Sequence, residues 1–156
     1  MAERPRVVFD CNVFLQAAAR QKSAAASCLS LAEEGLVQLF LSSEVLSEIE
    51  DVLNRPEVRA CFPNLSDEIA GAFVKRLQRV SEFVSRVPRA FRYTRDQDDE
   101  PYINLAVEAD ADFIVSRDRD LLDLMTGYGD DCKEFRQRFR TLKVIEPIDL
   151  LKQIKG

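Results

Sequence analysis

No histidine occurs among the 156 residues of this chain. Its absence removes the Ser-His-Asp and Cys-His routes to an activated nucleophile, and with them every zinc or iron site built on imidazole. Chemistry here must run on carboxylates, Lys, Arg, Tyr, Ser or Cys. Ligands that offer only oxygen select hard cations, so Mg²⁺ or Mn²⁺ is the cofactor this composition favours. Cys11, Cys28, Cys61 and Cys132 form no C-x-x-C pair, and Cys11 and Cys28 fall in apolar surroundings. Reduced, structural thiols are the expectation. No apolar run approaches membrane-spanning length, and the opening Met-Ala-Glu-Arg-Pro-Arg has no signal-peptide apolar segment. A soluble, cytoplasmic protein with no membrane contact is expected.

What is present is a globular composition, 46% apolar, with a length that fits one domain over residues 1–156. The net charge of −5 argues against a general coat for nucleic acid, yet the charge is unevenly spread. Between positions 75 and 95 stand Lys75, Arg76, Arg79, Arg86, Arg89, Arg92 and Arg95 against the single acid Glu82, with Phe91 and Tyr93 interleaved. A second basic run, Lys133, Arg136, Arg138, Arg140 and Lys143, is opposed only by Glu134. Such runs are as often solvated helix faces as binding surfaces. Around an acidic pocket they would suit a polyanion that needs both a metal and electrostatic steering.

Apolar periodicity gives the order of elements. Residues 6–10 read as a short strand ending in Asp10, and Asn12 offers an N-cap to the helix that follows. Residues 22–34 read as a helix closed by Gly35, and 36–41 as a second strand. Ser42 and Ser43 then cap a helix that the Asn54-Arg55-Pro56 break ends. Residues 65–83 form an amphipathic helix with Ile69, Phe73, Leu77 and Val80 on one stripe, and 83–87 a short edge strand. A loop over 88–94 leads to an acidic knot, Asp96-Gln-Asp-Asp-Glu100, that opens a helix with Pro101 in its first turn. Phe113-Ile-Val115 is a buried strand, 121–125 a short helix, 127–131 a turn-rich stretch, 142–145 a last strand, and Pro147 starts a terminal helix. Strands alternating with helices predict an α/β three-layer sandwich: a mostly parallel central sheet with helices on both faces.

In such sheets ligands collect at the carboxyl ends of the strands. Asp10 stands at one such end and Asp118 just beyond another, while Glu48 is bracketed by Leu46, Ile49 and Val52 and can reach inward. Any one acid at a helix start is more often a cap than a ligand, so the argument rests on convergence.

Four motifs in order carry a family resemblance: Phe-Asp10-Cys-Asn12-Val; Val-Leu-Ser-Glu48-Ile-Glu-Asp-Val-Leu; Asp96-Gln-Asp-Asp99-Glu100-Pro-Tyr-Ile-Asn-Leu-Ala; and Phe-Ile-Val-Ser116-Arg117-Asp118-Arg-Asp120-Leu-Leu. This order resembles the PIN-domain nucleases, and especially the VapC-like toxins of bacterial toxin–antitoxin systems. It spans residues 7–151. The resemblance implies a Mg²⁺- or Mn²⁺-dependent endoribonuclease. In it Asp10, Glu100 and Asp118 would hold one or two ions with Asp99 and Asp120 as auxiliaries, and Glu48 would orient the attacking water. Asn12, Ser116, Arg117, Arg89, Arg92 and Arg95 would bind substrate, and Phe91 or Tyr93 would stack on an unpaired base. It also implies an RNA substrate, a cognate antitoxin and a homodimer. Cys11 replaces the family's usual Thr, Gln97 a common Pro, Glu100 the commoner Asp, and Ser116-Arg117 the usual Thr-Gly. Arg117 is expected to compete with a metal at Asp118 or to bind a substrate phosphate. The alternative is a catalytically inactive PIN fold that binds RNA or protein. A receiver-like phosphoacceptor is disfavoured because 39–42 and 144–146 supply neither a mid-chain strand-end Asp nor a late strand-end Lys. A haloacid-dehalogenase-type phosphatase is disfavoured because Asp10-Cys11-Asn12 lacks a second Asp.

Overall fold

A computed structural model describes residues 4–156. Residues 1–3, part of the opening stretch read above for a leader segment, lie outside the described residues. Five strands, β1 (Arg6–Phe9), β2 (Gln38–Ser42), β3 (Glu82–Val84), β4 (Phe113–Val115) and β5 (Lys143–Ile145), form one sheet in the order β3-β2-β1-β4-β5. Every pairing is parallel, so the expected "mostly parallel" sheet is wholly so. In β1 the consecutive residues Val7, Val8 and Phe9 are each 0% exposed. Successive strand side chains point to opposite faces, so burial of all three means that both faces of the sheet are covered.

Helices α1 (Cys11–Ala19) and α2 (Ala24–Glu33) connect β1 to β2, and α3 (Ser43–Leu53), α4 (Pro56–Cys61) and α5 (Asp67–Val80) connect β2 to β3. Helix α6 (Glu100–Glu108) leads into β4, α7 (Arg119–Leu122) and α8 (Asp130–Arg138) bridge to β5, and α9 (Pro147–Lys155) follows it. This is an α/β sandwich, as the alternation of strands and helices predicts. Among the described residues no helix is long and apolar enough to cross a membrane.

Local chemistry accounts for most boundaries. Ser23, Ser42 and Ser66 each cap a helix by accepting the amide of the third residue on, at 3.1, 3.2 and 3.1 Å. Gly35 takes φ 77° after α2, a left-handed turn that favours glycine.

Four expectations shift. Asp10, not Asn12, caps α1, because β1 already ends at Phe9 and the helix begins at Cys11. On α5 the buried stripe is Ala70, Phe73 and Leu77; Ile69 is 43% exposed. Pro56 ends the path of α3 but also opens α4, whose lack of any buried residue leaves no apolar pattern to read. Helix α8 arises within the turn-rich and basic stretch because Cys132 and Phe135, three apart, bury one side of a single turn.

The loop over 88–94 has no regular structure and is fastened to α6 by two side chains, Glu100 and Asn104. Asn104, itself buried, accepts the amides of Ala90 at 3.0 Å and Phe91 at 2.8 Å through Oδ1. Asn104→Ala should therefore leave two backbone donors short of an acceptor and lower stability by about 2 kcal/mol or more. The midpoint of urea unfolding measures this; an unchanged midpoint would mean that the loop is held in another way.

Candidate metal centre

The strand order reverses direction on either side of β1: β2 and β3 lie to one side of it, β4 and β5 to the other. Loops leaving the carboxyl ends of β1 and β4 therefore diverge and open a crevice between them. Asp10 follows β1 directly, and its amide donates to Val115 O at 3.1 Å, which carries the β1–β4 pairing one residue past the strand. Ser116 follows β4, and its amide donates to Ile145 O at 2.9 Å. The two side chains consequently meet, and the Ser116 hydroxyl donates a short hydrogen bond to Asp10 Oδ2. Ser116 Oγ also accepts the Asp118 amide at 2.9 Å, and Asp118 Oδ1 accepts the Asp120 amide at 2.9 Å. These turns aim Asp118 back toward Asp10.

A second group of acids arrives from before α6. A 3₁₀ turn over Gln97–Asp99 is capped by Asp96, whose Oδ1 accepts the Asp98 amide at 3.0 Å. Asp96, Asp99, Asp118 and Asp120 can each place one carboxylate oxygen within 4.8 Å of the others. Asp10, Glu48, Asp96, Asp98, Asp99 and Asp118 line one depression, in which Arg55 is the sole base. Arg55 is itself bonded to Asp51 at 2.7 Å.

Asp99 is the extreme member. It is 7% exposed, and among the described residues its Oδ2 has no hydrogen-bond partner. Burial, then the charges of Asp118, Asp96, Asp10 and Asp120, push its carboxyl up to about 8. Asp10 is raised to about 6 by burial, held down in part by the bonds from Ser116 and the Val13 amide, the latter at 2.9 Å. Asp96 is raised as well, first by burial. Crowded carboxylates with an orphaned buried oxygen are a hard-cation donor set, and the residues present fit a divalent ion.

The expected residues divide. Asp10, Glu48, Asp99 and Asp118 come together, with Asp120 at the rim, where Arg95 binds it at 2.7 Å and also binds Asp123 at 2.7 Å. Glu48 is fixed by Tyr102, whose hydroxyl donates to Oε1 at 2.5 Å. Glu100 does not join them. Its Oε2 accepts the Tyr93 amide at 2.8 Å and its Oε1 takes two bonds from Arg89, at 3.0 and 2.8 Å, beside a different depression that Glu44 and Asn104 line. Arg89 and Arg95 are thus both engaged in ion pairs, while Arg92 is exposed. Asn12 lines both the acidic depression and a neighbouring one. Arg117 lines that neighbour and not the acidic depression.

Phe91 and Tyr93, expected to stack on a base, are 1% and 0% exposed. Phe91 packs edge-on against Phe135 at 5.6 Å, and the Tyr93 hydroxyl donates to Asp120 O at 2.6 Å. They build the core under the site and are closed to a ligand. Two residues here escaped the sequence reading of roles: Asp96, which sits in the quoted motif, and Tyr102, whose apolar helix position conceals that its hydroxyl reaches Glu48.

The raised carboxyls fix a pH dependence. The folded chain binds protons at Asp99 and Asp10 more tightly than the unfolded chain, in which aspartate titrates near ~3.9. The stability these protons carry is complete below about that value and is lost as pH rises through about 6 for Asp10 and about 8 for Asp99. Metal-free protein should melt at a temperature about 3 °C or more lower at alkaline than at mildly acidic pH, the shift that roughly 1 kcal/mol causes at this size. Asp99→Asn should flatten that slope in thermal melts followed by circular dichroism; the same slope in the variant would show that Asp99 does not carry it.

Comparison with known proteins agrees with this geometry. Over 152 residues, 96% of this chain and 92% of its counterpart, the sequence is 28% identical to the uncharacterized protein MJ1680 of Methanocaldococcus jannaschii. The sequence profile described as PIN domain, a family whose members are generally nucleases, matches residues 6–120, from the first residue of β1 to the last acid of the cluster. With most of its length covered by that match, the chain belongs to the PIN domain family.

Proposed function

We propose that this chain is a Mg²⁺- or Mn²⁺-dependent endoribonuclease that hydrolyses RNA phosphodiester bonds. The observation that carries the reading is Asp99 Oδ2, a buried carboxylate oxygen without a partner, set among acids that repel it. Asp10, Asp96, Asp99 and Asp118 are the residues that would hold the ion. When bound, a divalent cation would polarise the scissile phosphate and offset charge on the attacking and leaving oxygens.

The chain's own groups supply the remainder. Ser116 fixes the rotamer of Asp10, and the turn at Asp118 fixes the second carboxylate. Glu48, with Oε1 occupied by Tyr102, has Oε2 left to accept a proton from water and orient it. Arg95 holds Asp120 at the rim, so that acid serves the site through its position. The exposed Arg92 belongs to the basic margin that would steer a polyanion.

RNA as substrate, a role as the toxin of a toxin–antitoxin pair, an antitoxin that blocks the acidic depression, a homodimer and a cytoplasmic location follow from the VapC-like order of motifs. An inactive binding module finds less support, because the substitution that favoured it, Arg117, lines the neighbouring cavity and not the acidic depression.

Metal-dependent cleavage of an end-labelled RNA tests the assignment. Asp10→Asn, Asp99→Asn or Asp118→Asn should each lower the rate by about 100-fold or more, the scale of losing one charge-stabilising group. Glu100→Gln should stay within about tenfold, since a group outside the site has only an indirect hold on the rate. Undiminished cutting by Asp10→Asn or Asp118→Asn defeats the proposal, and a larger loss for Glu100→Gln than for Asp99→Asn reverses the choice of ligand.

A further inference from the structure

Beside the acidic depression lies a second cavity of about 380 Å³, between the first turns of α1, the start of α2 and the loop after β4. The two share Asn12 and are otherwise opposite in character. None of the residues lining the second cavity is acidic, and Arg117 is its only charged group. Residues 116–118 divide between the two: Ser116 bonds to Asp10 and Asp118 joins the acids, whereas Arg117, between them, lines the second cavity. Arg117 is exposed and, among the described residues, has no carboxylate partner, although Arg55, Arg89 and Arg95 all have one.

The rest of the lining also donates. Asn12 and Gln16 present side-chain amides, and the first-turn amides of α2 at Ala24 and Ala25 have no intrahelical acceptor. The wall opposite is held in place, since the buried Cys28 thiol donates to Pro147 O at 3.3 Å and so ties α2 to the start of α9. A guanidinium fork with amide donors around it and no competing carboxylate fits an oxyanion with several acceptor oxygens.

We propose that this cavity is a phosphate subsite, where Arg117 holds a backbone phosphate of the substrate strand that flanks the scissile one. The inference rests on the nuclease reading and deepens it: a strand passing over Asn12 would place one phosphate at the acids and another at Arg117. Such a site gives the bound strand a direction, because Arg117, which has no carboxylate partner among the described residues, lines the cavity on one side of the acidic depression.

The test separates binding from cleavage. Affinity of the catalytically disabled Asp118→Asn protein for a short fluorescent oligouridylate is measured by anisotropy over a range of salt in the presence of Mg²⁺. Adding Arg117→Ala should weaken binding about tenfold and lower the slope of log affinity against log salt by about 0.7, one phosphate on a single strand. Arg117→Lys should restore the slope but not the full affinity, because an ammonium lacks the fork. Gln16→Glu, which places a negative charge in the same cavity, should weaken binding as well. Unchanged affinity and slope in Arg117→Ala, or no binding by the protein that keeps Arg117, overturns the subsite. Cleavage by the wild-type chain is scored apart. If it is absent while Arg117 still governs binding, the nuclease reading falls and the subsite stands; if it is present and Arg117 is silent, only the subsite falls.

Discussion

Parallel pairing of β1 with β4 is the constraint on which the site depends. It sets Phe9 opposite Val115, so that the next residue of each chain segment, Asp10 and Ser116, leaves the sheet at the same level. The sheet is buried and cooperative, and it holds these two positions regardless of their charge. Carboxylates that would separate in a flexible loop are thereby kept close. Burial first, and then the neighbouring negative charges, appear as the raised proton affinity of Asp10 and Asp99.

Around that constraint the protein spends hydrogen bonds selectively. Asp10, Asp96 and Asp118 each accept at least one backbone amide, which orients them, and at Asp10 and Asp96 that bond offsets part of the upward push of burial. Glu48 and Asp120 are held by Tyr102 and Arg95. Asp99 alone has a buried oxygen with nothing to accept from. A native structure rarely leaves such a group without purpose, and the neighbours supply only more negative charge. A divalent cation fits this arrangement, and the unsatisfied oxygen of Asp99 is what separates the cluster from a set of helix caps.

Much of this was legible in the sequence. Asp10 stands directly after one short apolar run and Asp118 three residues past another, and β4 is found where Phe113, Ile114 and Val115 place it. The reading was weakest where one residue of rotation mattered. Two acids at a helix start differ by about 100° in direction, and apolar spacing does not say which of Asp99 and Glu100 faces the crevice. Likewise Phe91 and Tyr93, set among arginines, look like a binding surface. The burial of Phe91 against Phe135 depends on α8, a helix with too few apolar residues to announce itself.

The exchange of Glu100 for Asp99 has a physical reason that reaches the core. Glu100 is the first residue of α6, and its longer side chain bends back to accept the Tyr93 amide and the Arg89 guanidinium. In that position it fastens the loop over 88–94 from one end while Asn104 fastens it from the other. The same loop delivers Tyr93 to Asp120 O and Arg95 to the Asp120 carboxylate. Glu100 is therefore tied to the metal centre through the backbone it holds, and Asp99, one residue earlier, is freed to point into the crevice. Both carboxylate oxygens of Glu100 are therefore occupied, one by the loop amide and one by Arg89, whereas among the described residues Asp99 Oδ2 has no partner.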